Sequence, residues 1–261
     1  MAIFNIVDYY MVDYSNLASE LQQKADCFVF DSIPSTNDYL LALAFSNKPK
    51  ICIANQQTQG KGQYHRNWVS QKDHSILLSI RRVFSSNIDL SGLSLMVGLA
   101  LVETLKAYGA EGLKLKWPND VYFKDKKLAG ILIENSLQAD VQSVVVGLGV
   151  NVDFNETSVN EILTPWTDLK QAMPMPINQA DLVRDLINKM LQYFDQFEID
   201  GFTQFHSKWT KLDYLLGKKA SYQENSKLFA GVCIGVDQQG ALLVKSKNKI
   251  KRVYSSEFLH L

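Results

Sequence analysis

The sequence predicts an α+β fold: a mixed, largely antiparallel sheet with flanking helices, followed by a small β-barrel-like unit. Three observations predict it. Short apolar runs separated by tight polar turns between residues 113 and 152 read as an antiparallel meander rather than as alternating βαβ units. Two amphipathic stripes and one almost wholly apolar helix supply a covering layer. From about Gly217 onward the chain turns to short strands alone.

Residues 1–26 form an extension in which Ser15, ahead of Leu17-Ala18-Ser19-Glu20-Leu21, resembles the cap of a short helix. The main body is expected over 27–216. Phe28-Val29-Phe30 reads as a strand, and Asp31 to Asn37 as a turn into a helix through Tyr39 to Phe45, with Ser35, Thr36 or Asn37 available as its cap. Leu93 to Tyr108 carries only Glu103 and Lys106 as charges, so this helix is expected deep in the core, ending at Gly109. Leu113 to Trp117 reads as a strand broken by Pro118-Asn119-Asp120, because proline cannot donate to a ladder. Val121-Tyr122-Phe123, Leu128 to Asn135 and Ser143 to Val152 complete the meander, with turns at Lys124-Asp125-Lys126 and Gln138-Ala139-Asp140. Lys127, beside the first turn, reads locally as an edge lysine. Gly130, Gly147 and Gly149 lie inside strands, where glycine marks a bulge or a close approach, and three in one meander favour a ligand.

Residues 153–178 read as a long irregular segment. The stripe Leu182, Val183, Leu186, Ile187, Met190, Leu191, Phe194 and Phe197 marks an amphipathic helix, and Phe202 to Leu212 a further one. Residues 217–261 then supply strands at Lys219–Tyr222, Leu228–Val236, Ala241–Lys245 and Ile250–Tyr254, a unit small enough to need packing on the main body.

Composition excludes several classes of function. Lysine plus arginine balances aspartate plus glutamate at 27 each, so no overall field favours nucleic acid or an anionic membrane. Cys27, Cys52 and Cys233 are too scattered for a zinc cluster, no metal-ligating set is assigned, and a sparse, odd count suits a reducing cytoplasm. No cleavable leader and no membrane-length apolar run is visible, so a cytoplasmic protein is expected.

Function concentrates in the polar loop from Gln56 to Trp68, which lies between the apolar runs Ile51–Ala54 and Ser75–Ile80. Gly60 and Gly62 permit unusual backbone angles that turn N–H groups toward a ligand, Lys61 and Arg66 bring positive charge, and Trp68 brings a stacking face. The mixture fits a phosphate attached to a flat base. A solvated basic turn with Trp68 folded into the core fits equally well on local grounds. Neither common nucleotide fingerprint matches, because Gly60-Lys61-Gly62 runs into Gln63 and Val152 stands where a dinucleotide turn needs its third glycine.

Five motifs in order decide the matter: Ser35-Thr36-Asn37; the Gly60-Lys61-Gly62 loop through Arg66 and Trp68; Lys116-Trp117-Pro118-Asn119-Asp120; Lys127-Leu128-Ala129-Gly130-Ile131-Leu132; and Gly147-Leu148-Gly149-Val150-Asn151. Together they resemble the biotin–protein ligases, from about residue 28 to the end. The resemblance implies a class II synthetase-like catalytic domain with an SH3-like β-barrel behind it. It implies activation of biotin with ATP and Mg2+ to biotinyl-5′-AMP, then transfer to one lysine of a biotin carboxyl carrier protein. By resemblance, Ser35, Thr36 and Gln57 meet the ureido group with the Gly60–Lys61 backbone, and Asn37, Gln63, Gly130, Gly147 and Gly149 also line the biotin site. Lys127 sits at the biotin carboxylate. Lys61, Arg66 and Lys116 hold phosphates, Trp68 and Asn151 the adenylate, and Asn119 the nucleotide or its metal. Asp120 orients or deprotonates the carrier lysine, since a lysine attacks only when neutral.

Two positions depart from the family loop: Gln63 stands where a basic residue is usual and His65 where glycine is usual. A lost cation there implies easier escape of the adenylate. Bifunctional relatives carry an N-terminal DNA-binding domain, and a ligase core starting near residue 28 leads us to expect the monofunctional form, with no DNA or membrane partner, as monomer or homodimer. The rival readings are a lipoate–protein ligase-like transferase and a non-catalytic biotin sensor; the Lys-Trp-Pro-Asn-Asp motif disfavours the first, and the retention of Lys127, Arg66 and Asp120 the second.

Overall fold

The computed structural model describes residues 13–138, 140–154, 164–175, 177–224, 227–255 and 259–260. Of the expectations above, the beginning of the N-terminal extension, Ala139 of the second meander turn, residues 155–163 and 176 of the irregular segment, residues 225–226, 256–258 and 261 of the C-terminal unit and the side chain of His65 lie outside the described residues.

The chain opens with α1 (Ser15–Leu21), β1 (Asp26–Ile33), α2 (Thr36–Ala42), β2 (Lys50–Gln57) and β3 (Ser75–Ser85). After α3 (Leu93–Ala107) come β4 (Leu113–Lys116), β5 (Asp120–Phe123), β6 (Lys126–Gln138) and β7 (Val141–Asn151). Three helices follow: α4 (Leu169–Ala172), α5 (Gln179–Asp200) and α6 (Thr203–Thr210). The chain closes with β8 (Lys219–Glu224), β9 (Lys227–Val236), β10 (Leu242–Ser246), β11 (Lys249–Val253) and β12 (Leu259–His260).

The main sheet runs β1-β2-β3-β7-β6-β5-β4 and the second β11-β10-β9-β8-β12. Every neighbour in the main sheet is antiparallel except β1 and β2, which are parallel because α2 crosses between them. The predicted meander is therefore real, preceded by a single βαβ unit. The β5–β6 turn is closed by Lys124 (φ 47°) and Asp125 (φ 62°), two left-handed residues that match the twist of a two-residue hairpin.

Alternation sorts the two faces of the sheet. Ile76, Leu78 and Ile80 of β3 and Val144, Val146, Leu148 and Val150 of β7 point into one core with α3 and α5. The opposite face carries Leu77, Ser79 and Arg81 opposite Gly149, Gly147 and Val145, and α2 packs over its upper part through Leu40, Cys52 and Val145. The function-bearing residues lie on this second face.

Several elements differ from expectation in instructive ways. Ser15 is not a cap but the first helical residue, and the Asp13 carboxylate accepts its N–H at 2.8 Å. The helix expected over Tyr39–Phe45 starts at Thr36, because Ser35 caps it by accepting the Asp38 N–H. Lys127 is no edge lysine: it lies within β6, bonded across β5, and on its other side its N–H donates to Pro165 O at 2.9 Å while its carbonyl accepts from Thr167 N. Within the described part of 153–178, Asp168 caps the short helix α4.

The second sheet docks beside the main one. Trp117 Nε1 donates to Gly240 O at 2.9 Å and His206 Nε2 bonds Val236 O at 2.7 Å. Gly240 is packed so closely that an added Cβ would meet Gly92 Cα at 2.8 Å.

Candidate active site

The glycines of β6 and β7 form the floor of a cavity of about 600 Å3, a size that suits a small organic ligand. They are neither bulges nor left-handed residues: the β6–β7 register runs unbroken, with Gly130 opposite Gly149 and Leu132 opposite Gly147. Their purpose is space. A Cβ on Gly147 would stand 2.4 Å from Asn37 Oδ1, and one on Gly149 would stand 2.3 Å from Trp68 Cε2. Asn37 and Trp68 therefore lie on the sheet two residues apart along β7.

The Asn37 end is a buried polar corner. Gln57 Oε1 accepts from Thr36 N at 2.7 Å and from Thr36 Oγ1 at 2.8 Å. Ser79 Oγ lies 2.7 Å from Thr36 Oγ1 and 2.6 Å from Asn37 Oδ1, and Asn37 Nδ2 donates to Glu134 Oε2 at 2.7 Å. Beneath it, the Arg81 guanidinium caps the end of α2: Nη1 donates to Leu40 O and Leu43 O, and Nη2 to Ala44 O. A buried cation placed on the negative end of a helix fixes where Ser35, Thr36 and Asn37 stand.

The Trp68 end is cationic. Lys127 Nζ lies 5.5 Å from the centre of the Trp68 ring and 2.7 Å from Asp120 Oδ1, an ion contact without hydrogen-bond alignment. Lys116 Nζ accompanies Tyr122, 3.1 Å from its hydroxyl and 4.8 Å from its ring centre. Burial, Lys127 and Lys218 push the Lys116 ammonium below the ordinary lysine range, while Asp120 opposes them. Burial first, then Asp120, raises the Tyr122 phenol. Trp68 Nε1 is buried over Gly149 with no hydrogen-bond partner among the described residues.

The loop is ordered by means other than those its glycines suggested. Gly62 is extended (φ −119°), and the left-handed residue is Tyr64 (φ 57°). Gly60 is needed for closeness, since its Cβ would stand 2.6 Å from Trp68 O, and Trp68 N donates to Gly60 O. Tyr64 Oη meets Ser255 Oγ, two residues beyond β11, at 3.0 Å, and the Arg66 guanidinium lies 5.8 Å from the Tyr64 ring centre. Lys61 pairs with Asp38 at 2.7 Å, and this contact raises its pKa.

All the residues expected from the sequence except Gly60 line this one cavity, and Gly60 lies in the adjoining hollow of the same loop. Their roles divide. Ser35 works as a helix cap. Asn119 Nδ2 is spent on Ile131 O at 2.7 Å, which leaves its Oδ1 for a ligand. Asn151 Nδ2 donates to Thr167 O at 2.9 Å.

A family model described as Biotin/lipoate A/B protein ligase family matches residues 29–151. The bifunctional ligase/repressor BirA of Salmonella typhimurium is 32% identical over 244 residues, spanning 92% of this chain and 76% of the relative. The biotin–[acetyl-CoA-carboxylase] ligase of Mycobacterium tuberculosis is 30% identical over 237 residues, spanning 87% and 86%. The chain belongs to the biotin protein ligase family. The solved structure of Aquifex aeolicus biotin protein ligase in complex with biotin and ATP superposes with a TM-score of 0.77 at 26% identity, over 90% of this chain and 98% of that one.

What motif reading of a biotin protein ligase missed are the residues that hold the motifs: Ser79, Arg81, Tyr122 and Glu134. Ser79 and Arg81 sit in an apolar strand run, where alternation with Leu78 and Ile80 was their one signal. Glu134 lies four residues beyond Gly130 on the same face of β6, so strand periodicity alone pointed it toward the cavity.

Proposed function

We propose that this chain activates biotin with MgATP to biotinyl-5′-AMP and transfers biotin to a lysine of a biotin carboxyl carrier protein. The observation that carries it is one cavity joining the Thr36–Gln57 polar corner to the Lys127–Asp120–Lys116 group across a glycine floor covered by Trp68. The corner takes the ureido ring by hydrogen bonds, a mode of recognition that rejects analogues lacking those groups strongly. Lys127 draws the biotin carboxylate toward the α-phosphorus and offsets charge as a carboxylate oxygen forms the new P–O bond and pyrophosphate leaves. Arg66 and Lys116 hold phosphates, Trp68 and Asn151 hold the adenylate, and Lys61 acts through its backbone, its ammonium being engaged by Asp38.

In the second step the neutral carrier amine attacks the acyl carbon, the C–O bond to AMP breaks, and the amine gives up a proton. Asp120 is the carboxylate among these cations and is assigned to orient and deprotonate that amine. Magnesium enters with ATP. Phosphate oxygens supply most of its ligands, and Asn119 Oδ1 is the protein atom we assign to it.

The three free cysteines, two of them buried, suit a reducing compartment, and we place the enzyme in the cytoplasm; among the described residues no helix is long and apolar enough to cross a membrane. The domain division at about residue 217 is supported by the separate five-stranded sheet. The reading is tested by biotin-dependent pyrophosphate release from MgATP, with lipoate as comparator. Release with biotin alone supports it; release only with lipoate, or none despite tight biotin binding, rejects it.

A further inference from the structure

The hydrogens in the polar corner can be counted without seeing them. Gln57 must turn its oxygen to Thr36, because the Thr36 backbone N–H can only donate. Asn37 must turn its nitrogen to Glu134, because a carboxylate can only accept. Both ends of the chain Gln57 Oε1, Thr36 Oγ1, Ser79 Oγ, Asn37 Oδ1 are thereby fixed as carbonyl acceptors. Three contacts of 2.8, 2.7 and 2.6 Å join these four oxygens. Only the two hydroxyl groups, of Thr36 and Ser79, carry hydrogens to fill them. The chain is one hydrogen short, and Ser79, Thr36 and Asn37 are all buried.

From this count we infer that Glu134 is a specificity-determining positioning residue: by fixing the Asn37 amide it leaves the corner rich in acceptors, so that the corner demands a ligand with N–H donors. Glu134 acts without touching the ligand, through Asn37 Nδ2. A residue at 134 able to donate would let Asn37 flip, its Nδ2 would supply the missing hydrogen to Ser79 Oγ, and the corner would be satisfied without help from a ligand. The Asn37 amide occupies the space that a side chain at Gly147 would take, an added Cβ there standing 2.4 Å from Oδ1 and 3.1 Å from Nδ2. The inference rests on the biotin reading, whose ureido group brings two N–H donors.

The test uses the full chain and compares activation, by pyrophosphate release, of biotin with that of a cyclic carbonate analogue in which oxygen replaces both ureido nitrogens. Glu134→Gln is expected to raise the KM for biotin and narrow the preference for biotin over the carbonate by roughly tenfold, with the KM for ATP and Tm near wild type. Glu134→Asp, still acceptor-only, retains more of the preference than Gln does. Ser79→Ala removes one hydrogen together with two of the three contacts and leaves Asn37 Oδ1, still fixed by Glu134, as an acceptor without a donor, so the preference persists even where affinity falls. An unchanged preference in Glu134→Gln, or an equal loss in Glu134→Gln and Ser79→Ala, overturns the inference, the latter by pointing to general loosening. Wild-type protein that releases no pyrophosphate with biotin rejects the biotin reading itself, and the inference with it.

Discussion

Replacing Gly149 with alanine tests whether the glycine floor exists to seat Trp68. The new methyl would stand 2.3 Å from Cε2 and 2.6 Å from both Cζ2 and Nε1 of the indole. Ordinary carbon contacts begin near ~3.4 Å, so the ring must move by about 1 Å. The ring already fills the space over Gly130 as well, where an added Cβ would meet Cζ3 at 2.9 Å. Trp68 belongs to a loop whose end is tied by Trp68 N to Gly60 O, so the ring yields outward while the sheet keeps its register. A misplacement of about 1 Å in a substrate-seating group costs up to ~10²-fold in rate, or about 2.7 kcal/mol. We therefore expect Gly149→Ala to lower kcat/KM for ATP in adenylation about 10²-fold, with Tm shifted by less than a few degrees. Stopped-flow pyrophosphate release and a thermal scan on the same preparation measure both. Wild-type kinetics would refute the seating argument, and a large fall in Tm with proportionate loss of all ligand binding would show that Gly149 serves the sheet instead.

Four further outcomes follow from particular contacts. Lys127→Ala removes the cation at the reacting carboxylate and should slow adenylation by ~10²-fold at little cost in stability, since its pair with Asp120 is partly solvated. Arg81→Met deprives three carbonyls at the end of α2 of their donor; charged hydrogen bonds contribute about 1.5–3 kcal/mol each, so Tm should fall by roughly 10–20 °C and biotin binding should weaken with the displaced Thr36. Lys116 is held below the ordinary lysine range by burial, so its charge, and with it ATP affinity, is lost as pH rises at a lower pH than a free lysine would give. The same shift makes stability rise with pH across that window, so alkaline weakening of ATP binding without a fall in Tm, abolished in Lys116→Arg, is expected. Gln63 lines the cavity, and Gln63→Arg should slow release of preformed adenylate by roughly tenfold; an unchanged release rate in a pulse-chase with labelled biotin contradicts that role for the missing cation.

Much of this fold was legible because the meander obeys strict alternation. Val144, Val146, Leu148 and Val150 declare one face and Gly147 and Gly149 the other, so the sheet and the face of its ligand could be read together. The parallel β1–β2 pair was not legible, since α2 is only seven residues long and Ser35-Thr36-Asn37 reads equally as a turn. Position within the sheet was likewise hidden: Lys127 sits one residue from a hairpin, yet Pro165 and Thr167, nearly forty residues later, take up its backbone groups. In the site, sequence named the motif residues but assigned contact where the structure shows support. Asn37 and Asn119 spend amide hydrogens on Glu134 and Ile131, partners on β6 that no local spacing pairs with them. The loop shows the same limit in reverse, for its left-handed residue is Tyr64 and not either glycine, and the Tyr64 hydroxyl meets Ser255, 191 residues away.

The most direct test of the central claim is intact-mass analysis of a purified apo biotin carboxyl carrier domain after incubation with this protein, MgATP and biotin, beside Lys127→Ala and an equimolar lipoate competitor. The account predicts one biotinyl adduct on the carrier, unaffected by lipoate and lost or strongly slowed with Lys127→Ala. A lipoyl adduct in its place, or an unmodified carrier from protein that binds biotin tightly, would contradict it.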